Sequence, residues 1–427
     1  MKVLVVGAGG REHALSWKIS QSTLVTSVFV APGNGGTELE DHLTNVDIQA
    51  DDIEGLASFA LEQGIDLTIV GPEDPLVNGI TDRFNDLGLK CFGPSKGAAQ
   101  LEGSKEFMKD FLQRHHIPTA EYSSFSDTER AIEYVEQKGC PIVIKADGLA
   151  AGKGVTIAHT VEEAKEAIYQ SLESEVFGEA GKKIVIEEFL DGEEASFIVM
   201  TDGTNVIPFA SSQDHKALED NDKGPNTGGM GAYSPAPIVD EYVHEKIMNE
   251  IIFPTLKGLR KDGYKYCGFL YAGMMIDKNK KLKVLEFNCR FGDPETQPIM
   301  MRLKSDLASL CDQACDDNLI EQPLEWDSRK AIGVVLAARG YPHGYAKGKD
   351  ITNIPSEKDD LKIFHAGTKI ESNSLKSNGG RVLCVTTLGD SVESAQNKAY
   401  DAISEILWED AFYRKDIGYR AIARERK

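Results

Sequence analysis

"IVIKADGLAAGKGVTI", residues 142–157, sets two apolar runs around a long charged connection. Ile142–Ile144 and Val155–Ile157 read as short strands, and between them stand Lys145, Gly148, Gly152, Lys153 and Gly154. A tight hairpin needs about two turn residues, so this connection is built for something else. It is close to a Walker loop, but Gly148 to Gly152 is one residue short, and Gly154 stands where a Ser or Thr would meet magnesium. It also lies between strands, not ahead of a helix. Two readings stay open. A flexible lid would fold over phosphates, with backbone N–H groups and Lys153 as donors and Lys145 reaching up from a rigid strand end. The alternative is a surface hairpin with solvated lysines.

Three later stretches carry chemistry. In "KIVIEEFLDGEEASF" (183–197) an apolar strand ends in Glu187, Glu188, Phe189 and Leu190. Such an end can be merely solvated, or it can offer adenine an acceptor and backbone edges, with Glu194 placed for ribose hydroxyls. In "KLKVLEFNCRFGDPE" (281–295), alternation puts Val284, Glu286, Asn288 and Arg290 on one strand face. Beside the bland reading of a polar outer face, Glu286 and Asn288 suit a hard cation whose shell phosphate oxygens complete. Arg290 could then hold a carboxylate or phosphate by its fork. In "QDHKALEDNDKGPNTGGMGAYSP" (213–235), Asp214, His215, Lys216 and Asn226-Thr227-Gly228-Gly229 concentrate polar groups in a glycine-rich segment, which favours a substrate loop.

Upstream, residues 1 to about 100 alternate strand and helix, the rhythm of a parallel sheet with crossover helices. Ligands bind at the carboxyl ends of such strands, here Gly7–Gly10, Pro32–Thr37 and Gly71–Asp74. "VGAGG" approaches a dinucleotide fingerprint, but Glu12 occupies the third glycine position. The second strand also ends in "APGNGG" without a ribose-binding acid. NAD is therefore not expected. A phosphate site and a purely structural turn both remain possible, and the bare backbone of "PGNGGT" (32–37) favours phosphate. A helix is expected over 104–113, capped by Ser104, with others near 240–262, from 295 and near 391–407. A boundary is expected near "EQPLEWDSRK" (321–330).

Composition narrows the class. Lys and Arg number 47 against 68 Asp and Glu, a formal charge of −21 over 427 residues. That field disfavours nucleic acid and anionic membranes. "MKVLVVGAGGREHAL" breaks at Gly7 and does not read as a signal peptide, and no stretch approaches the ~20 apolar residues of a membrane span. Seven scattered cysteines without a CxxC pair fit thiols in a reducing cytoplasm. Cys311 and Cys315 lie four apart but lack a partner pair for a metal.

The hairpin, the "EEFL" strand end and the "EFN" strand, in that order behind a βαβ unit, resemble the ATP-grasp superfamily. Within it, "QDHK", "GPNTGGMGAYSP", "EFNCRFGDPE", "VGAGGREHAL" and "APGNGGT" resemble the glycinamide ribonucleotide synthetase family over essentially the whole chain. The resemblance implies a multidomain α/β and α+β protein. Its parts would be an N-terminal parallel-sheet domain (1–103), a small ATP-grasp lid (104–192), a central catalytic part (193–327) and a small C-terminal α+β domain (328–427). It implies ATP-dependent ligation of glycine to 5-phosphoribosylamine through glycyl phosphate, in purine biosynthesis. Another ATP-grasp carboxylate–amine ligase is the competing reading.

By the same resemblance, Lys105, Lys145, Gly152, Glu187, Glu188, Phe189, Leu190, Glu194 and Met275 would hold ATP. Glu286 and Asn288 would hold Mg²⁺ or Mn²⁺. Gly9, Gly10, Asn34, Gly35, Gly36, Thr37, Asp74, Asp214, Lys216, Asn226, Thr227, Gly228 and Arg290 would meet the substrates. Lys145, Lys153, Asp214 and Arg290 would act in catalysis. The expected partners are the small-molecule substrates alone, and the expected enzyme is a cytoplasmic monomer.

Overall fold

A computed structural model describes residues 1–149, 154–174 and 178–426 of the chain. The N-terminal strands β1 (Lys2–Gly7), β2 (Ser27–Pro32), β3 (Leu43–Asn45), β4 (Leu67–Val70) and β5 (Cys91–Phe92) form a parallel sheet in the order 3-2-1-4-5. β1 is the axis. Leu4 and Val6 pack into one apolar core and Val3 and Val5 into another, so both faces are covered, as continuous apolar parallel strands require. β3 has no counterpart in the sequence reading: its three residues are too short for a periodic signal.

The part expected as the lid is an antiparallel sheet of β6 (Tyr122–Phe125), β7 (Ile142–Ala146), β8 (Val155–Ala158) and β9 (Ile184–Glu188), ordered 6-9-7-8. β7 and β8 pair from Ile142↔Ala158 to Lys145↔Val155, so the two apolar runs are the expected hairpin strands. Helices Thr128–Lys138 and Val161–Leu172 back the sheet. They close a separate small core with Ala131, Val135, Ile144, Ile168 and Ile186.

The helix Lys105–Arg114 leads into the lid, and Ser104 Oγ accepts from Phe107 N–H as its cap. The long helical stretch downstream runs Glu241–Ile247 and Phe253–Lys261 with a π turn at Met248–Ile252 between them.

The central sheet holds β10 (Glu193–Thr201), β11 (Val206–Pro208), β16 (Gly268–Ile276) and β17 (Leu282–Asn288), ordered 11-10-16-17. Between β11 and β16 the chain makes β12 (Gln213–Asp214), a small hairpin of β13 (Ala217–Glu219) and β14 (Lys223–Asn226), and β15 (Gly231–Ser234).

β12 and β15 leave the central sheet and join β18 (Lys330–Ala338), β19 (Leu361–His365), β22 (Arg381–Gly389) and β23 (Ala411–Phe412). The hairpin of β20 (Thr368–Glu371) and β21 (Ser374–Ser377) stands apart. The helix Val392–Glu405 contributes Ala395, Ala399 and Ile403 to the core under this sheet. Glycine-rich segment 213–235 is therefore strung between the central and C-terminal sheets.

One local irregularity decides how the site is presented. Opposite Gly273–Met274, β17 carries a bulge: Gly273 pairs with Glu286 and Met274 with Val284, leaving Leu285 as the extra residue. Strict alternation therefore fails here. Val284 packs into the apolar core, away from Glu286, and Glu286 and Asn288 keep the cleft face. Bulges re-aim side chains in this way next to sites.

Candidate functional site

A cleft of about 510 Å³ lies between the lid, the central sheet, the end of the N-terminal sheet and segment 213–235. That is within the usual range for a small-molecule site. One end is lined by Met108, Val143, Ile157, Phe189, Leu190, Met275 and Leu285, with Glu188 at its rim. Glu188 turns outward to Lys283 at 2.7 Å.

Next along the cleft come the lysines. Lys105 Nζ donates to the Gly148 carbonyl at 3.0 Å, tying the start of the hairpin connection to the helix below. Lys145 Nζ meets Glu187 Oε1 at 3.0 Å and the Leu285 carbonyl at 3.3 Å. Lys216 reaches Glu194 and also Glu286 Oε1, the latter at 3.3 Å. Burial opposes the charge on Lys216, but Glu194 and Glu286 outweigh it and keep the ammonium charged. In return Lys216, ahead of burial, holds the Glu286 carboxyl down at about 2. Burial pulls Lys105 below the ordinary lysine value. Gly152 and Lys153 lie outside the described residues.

The far end is built from arginines and carboxylates. Arg290 Nε meets Glu73 at 3.1 Å and Nη2 meets Glu102 at 2.7 Å, while Nη1 donates to the Phe291 carbonyl. The fork that the sequence offers to a substrate anion is thus already held by protein carboxylates. Burial raises the Glu73 carboxyl, yet Arg290 and Arg11 bring it down to about 2. Glu102, deeper, is pushed up to about 7 by burial and by Glu73, although Arg290 and the Cys289 N–H favour its charge.

Asp214 carries a buried Oδ1 without a hydrogen-bond partner. Burial and the neighbouring Glu295 raise its carboxyl well above the ordinary value. Glu295 in turn accepts from Ser196 Oγ at 2.8 Å.

Loop 226–229 is fixed from the C-terminal sheet. Arg381 Nη1 donates to the Gly228 and Asp293 carbonyls, each at 2.6 Å, and Gly228 N–H donates to Tyr341 Oη at 2.9 Å. Thr227 Oγ1 closes the loop onto the Lys216 carbonyl at 2.8 Å. Gly229 sits at φ +111°, where an added Cβ would be 2.4 Å from Pro294 and 2.7 Å from Asp214, so only glycine fits. His215 points the other way. It is buried, and its Nε2 accepts from Gly418 N–H.

Of the N-terminal loops, Glu73 reaches the cleft lining, with Arg11 just past the first glycines, while Gly9, Gly10, Asn34–Thr37 and Asp74 border it. Gly9 lies close enough that an added Cβ would be 3.3 Å from Asp293 Oδ2. Asn34 Oδ1 caps the short helix Gly35–Leu39 by accepting from Gly36 and Thr37 N–H. Its Nδ2 donates to the Ala8 and His365 carbonyls. Thr37 Oγ1 bonds Asn45, and Gly36 packs against His365, 2.5 Å from where a Cβ would stand. Asp74 is exposed beyond this loop.

Arg11, Glu73, Glu102, Lys109, Glu295, Tyr341 and Arg381 were beyond the sequence reading. Arg11 was within reach, one residue past the glycines. Glu73 and Glu295 were also within reach, inside the strand end Gly71–Asp74 and the segment 281–295; Glu102, Lys109, Tyr341 and Arg381 depend on chain crossings with no local signal.

The architecture, a parallel-sheet domain followed by a lidded two-sheet cleft, is shared with biotin carboxylase from Campylobacter jejuni. That crystal structure matches 96% of this chain and 92% of its own at TM-score 0.76 and 15% identity, a likeness of fold alone. The closer relationship is specific. Models of the phosphoribosylglycinamide synthetase N domain, ATP-grasp domain and C domain match residues 1–102, 103–296 and 331–420.

The chain belongs to the phosphoribosylglycinamide synthetase family. It is 60% identical over 428 residues to a Vibrio vulnificus protein named phosphoribosylamine–glycine ligase, covering all of both chains. It also resembles the crystal structure of phosphoribosylamine–glycine ligase from Thermotoga maritima at TM-score 0.86 and 35% identity, over 98% of this chain and 100% of that one. No helix among the described residues is long and apolar enough to cross a membrane.

Proposed function

We propose that the protein joins glycine to 5-phosphoribosylamine at the expense of ATP, giving glycinamide ribonucleotide, ADP and phosphate, as a step of purine biosynthesis. The observation that carries this is one cleft that joins a lysine-lined stretch beneath a lid to an end with unpartnered carboxylate oxygen. The two ends fit a triphosphate and an amino-group substrate.

The adenine is assigned to the apolar end, against Phe189, Leu190 and Met275, with backbone of Glu188–Leu190 along its edge and Glu194 at the ribose. Lys105 and Lys145 are assigned to the phosphates. Gly152 and Lys153 are assigned to the lid on the strength of the family resemblance. Glu286 and Asn288 fit a hard divalent cation, since Glu286 is ionised and both donors are oxygens. Among the described residues no group of three or more His, Cys, Asp or Glu is placed to hold a metal, so phosphate oxygens are left to complete the shell. Mg²⁺ or Mn²⁺ there would neutralise charge developing on the transferred phosphoryl group.

The chain's own residues do the positioning. A glycine carboxylate is a poor electrophile at neutral pH. Attack on the γ-phosphate converts it into glycyl phosphate, and the amine of phosphoribosylamine then displaces phosphate. Lys105, Lys145 and Lys216 neutralise the oxygens involved, and a closed lid keeps water from the acyl phosphate. Asp214 and loop 226–228 hold the glycine. Arg290 acts through Glu73 and Glu102, whose carboxylates it fixes. Gly9, Gly10, Asn34–Thr37 and Asp74 form the phosphoribosylamine side, with Asn34 acting as the cap that shapes the loop. The four-part division at 103, 192 and 327 and a monomeric, cytoplasmic enzyme complete the reading.

The test combines stoichiometry with isotope transfer. ADP should accumulate only when glycine and phosphoribosylamine are both present, and ¹⁸O from labelled glycine carboxylate should appear in phosphate. AMP with pyrophosphate, or unlabelled phosphate, would overturn the mechanism.

A further inference from the structure

Lys109 is a fully buried lysine one helical turn beyond Lys105, and it does not line the cleft. Its ammonium meets Glu187 Oε2 at 2.8 Å and donates to Thr119 Oγ1 at 2.7 Å. Thr119 Oγ1 passes the chain on to the Val284 carbonyl at 2.8 Å, just before the bulge of β17. Glu187 is 2% exposed, and its other oxygen faces Lys145 at 3.0 Å. Two ammonium groups therefore share one carboxylate, one from behind and one from the cleft. The sum is one surplus positive charge, and the only member of the trio that can turn it toward a ligand is Lys145.

A lone Glu187–Lys145 pair would be neutral and tightly closed, because buried opposite charges attract far more strongly than exposed ones. We infer that Lys109 is a positioning residue for Lys145: by occupying half of the Glu187 carboxylate, it leaves Lys145 charged and available to a polyphosphate. The same contacts fix the height of the Lys145 ammonium against β17, through Thr119 on the Val284 carbonyl and Lys145 itself on the Leu285 carbonyl, the two residues just before Glu286. This inference rests on the nucleotide reading of the cleft.

The experiment compares binding of AMP and the non-hydrolysable triphosphate AMP-PNP by calorimetry, in the full chain. Lys109→Met should lower AMP-PNP affinity roughly tenfold, the scale of one lost charge near the phosphates, while AMP affinity stays unchanged. Lys109→Arg should restore the triphosphate preference. So should the double change Lys109→Met with Glu187→Gln, because it returns the cluster to a net charge of plus one.

A structural role alone predicts the opposite for the double variant, which removes a second partner. If Lys109→Met does not fold, the double variant carries the test by itself. A triphosphate preference unchanged in Lys109→Met, or not recovered in the double variant, overturns the inference. If the unmodified protein binds neither nucleotide, the reading of the cleft fails instead.

Discussion

The two ends of the cleft use different cations, and the difference says what each end is for. Beneath the lid the cations are lysines, Lys105, Lys145 and Lys216, point charges on flexible stems. At the far end they are arginines, and their forks are spoken for. Arg290 is held by Glu73, Glu102 and the Phe291 carbonyl, and Arg381 by the carbonyls of Gly228 and Asp293. Lysines can follow a phosphoryl group as it moves from ATP to glycine. Fixed arginines build walls, and what they leave unpartnered at that end is carboxylate oxygen, above all the buried Asp214 Oδ1. A triphosphate suits the first end and an ammonium group the second.

The comparison breaks most visibly at Glu286, which the lysine end shares with the proposed metal. Glu286→Gln should cut turnover about 10²- to 10³-fold, the scale of one lost electrostatic contact to a transition state. It should also raise the metal concentration needed for half-maximal rate, with AMP affinity retained. Steady-state rates across a magnesium series check this; normal turnover at unchanged metal dependence would remove Glu286 from the metal site.

Asp214→Asn is the matching change at the other end. It should raise the KM for glycine by about 10- to 100-fold, since the buried carboxyl that would ionise against the ammonium is lost, and leave AMP-PNP binding as it was. Equal losses for glycine and nucleotide would mean that the ends are not separable.

How much of this was readable beforehand differs between the two ends. Lys145, Glu187–Leu190, Glu194, Glu286 and Asn288 sit at strand ends or on strands, where apolar runs stop abruptly at charge. Local pattern finds them, and all line the cleft. The far end gathers Arg11, Glu73, Glu102, Glu295 and Arg381 from separate stretches of chain, and no spacing rule links residues so distant in sequence.

Two local readings also needed the fold. Alternation over 284–290 ignored the bulge at Leu285, which is set by the partner strand at Gly273–Met274. Glycines 35 and 36 looked like bare backbone for a phosphate, yet Gly36 is also demanded by His365 across the domain junction. The C-terminal sheet, read as starting after residue 327, draws two strands from 213–234 because β12 and β15 complete its edge.

That junction gives the smallest expected effect and separates the walls of the two ends. The arginine end depends on the N-terminal loops docking on the C-terminal sheet, through His365 N–H to His13 Nδ1 at 2.9 Å and Asn34 to the His365 carbonyl at 2.9 Å. The lysine end depends on the lid. Burial, with His13 and Lys362 adding to it and Glu40 opposing, brings His365 down to about 3. The unfolded chain takes up a proton at about 6.5, so between those values it binds more protons than the folded one. The contribution of neutral His365 is therefore complete above pH 6.5 and is lost progressively as pH falls toward 3. At pH 5 the loss should be about 1 to 2 kcal/mol relative to pH 7.5, read as the difference in unfolding free energy between the unmodified chain and His365→Gln. Over the same range glycine affinity should weaken before AMP-PNP affinity does, because only the far end leans on this junction. A stability difference that is flat with pH would mean that His365 takes up its proton without disturbing the docking.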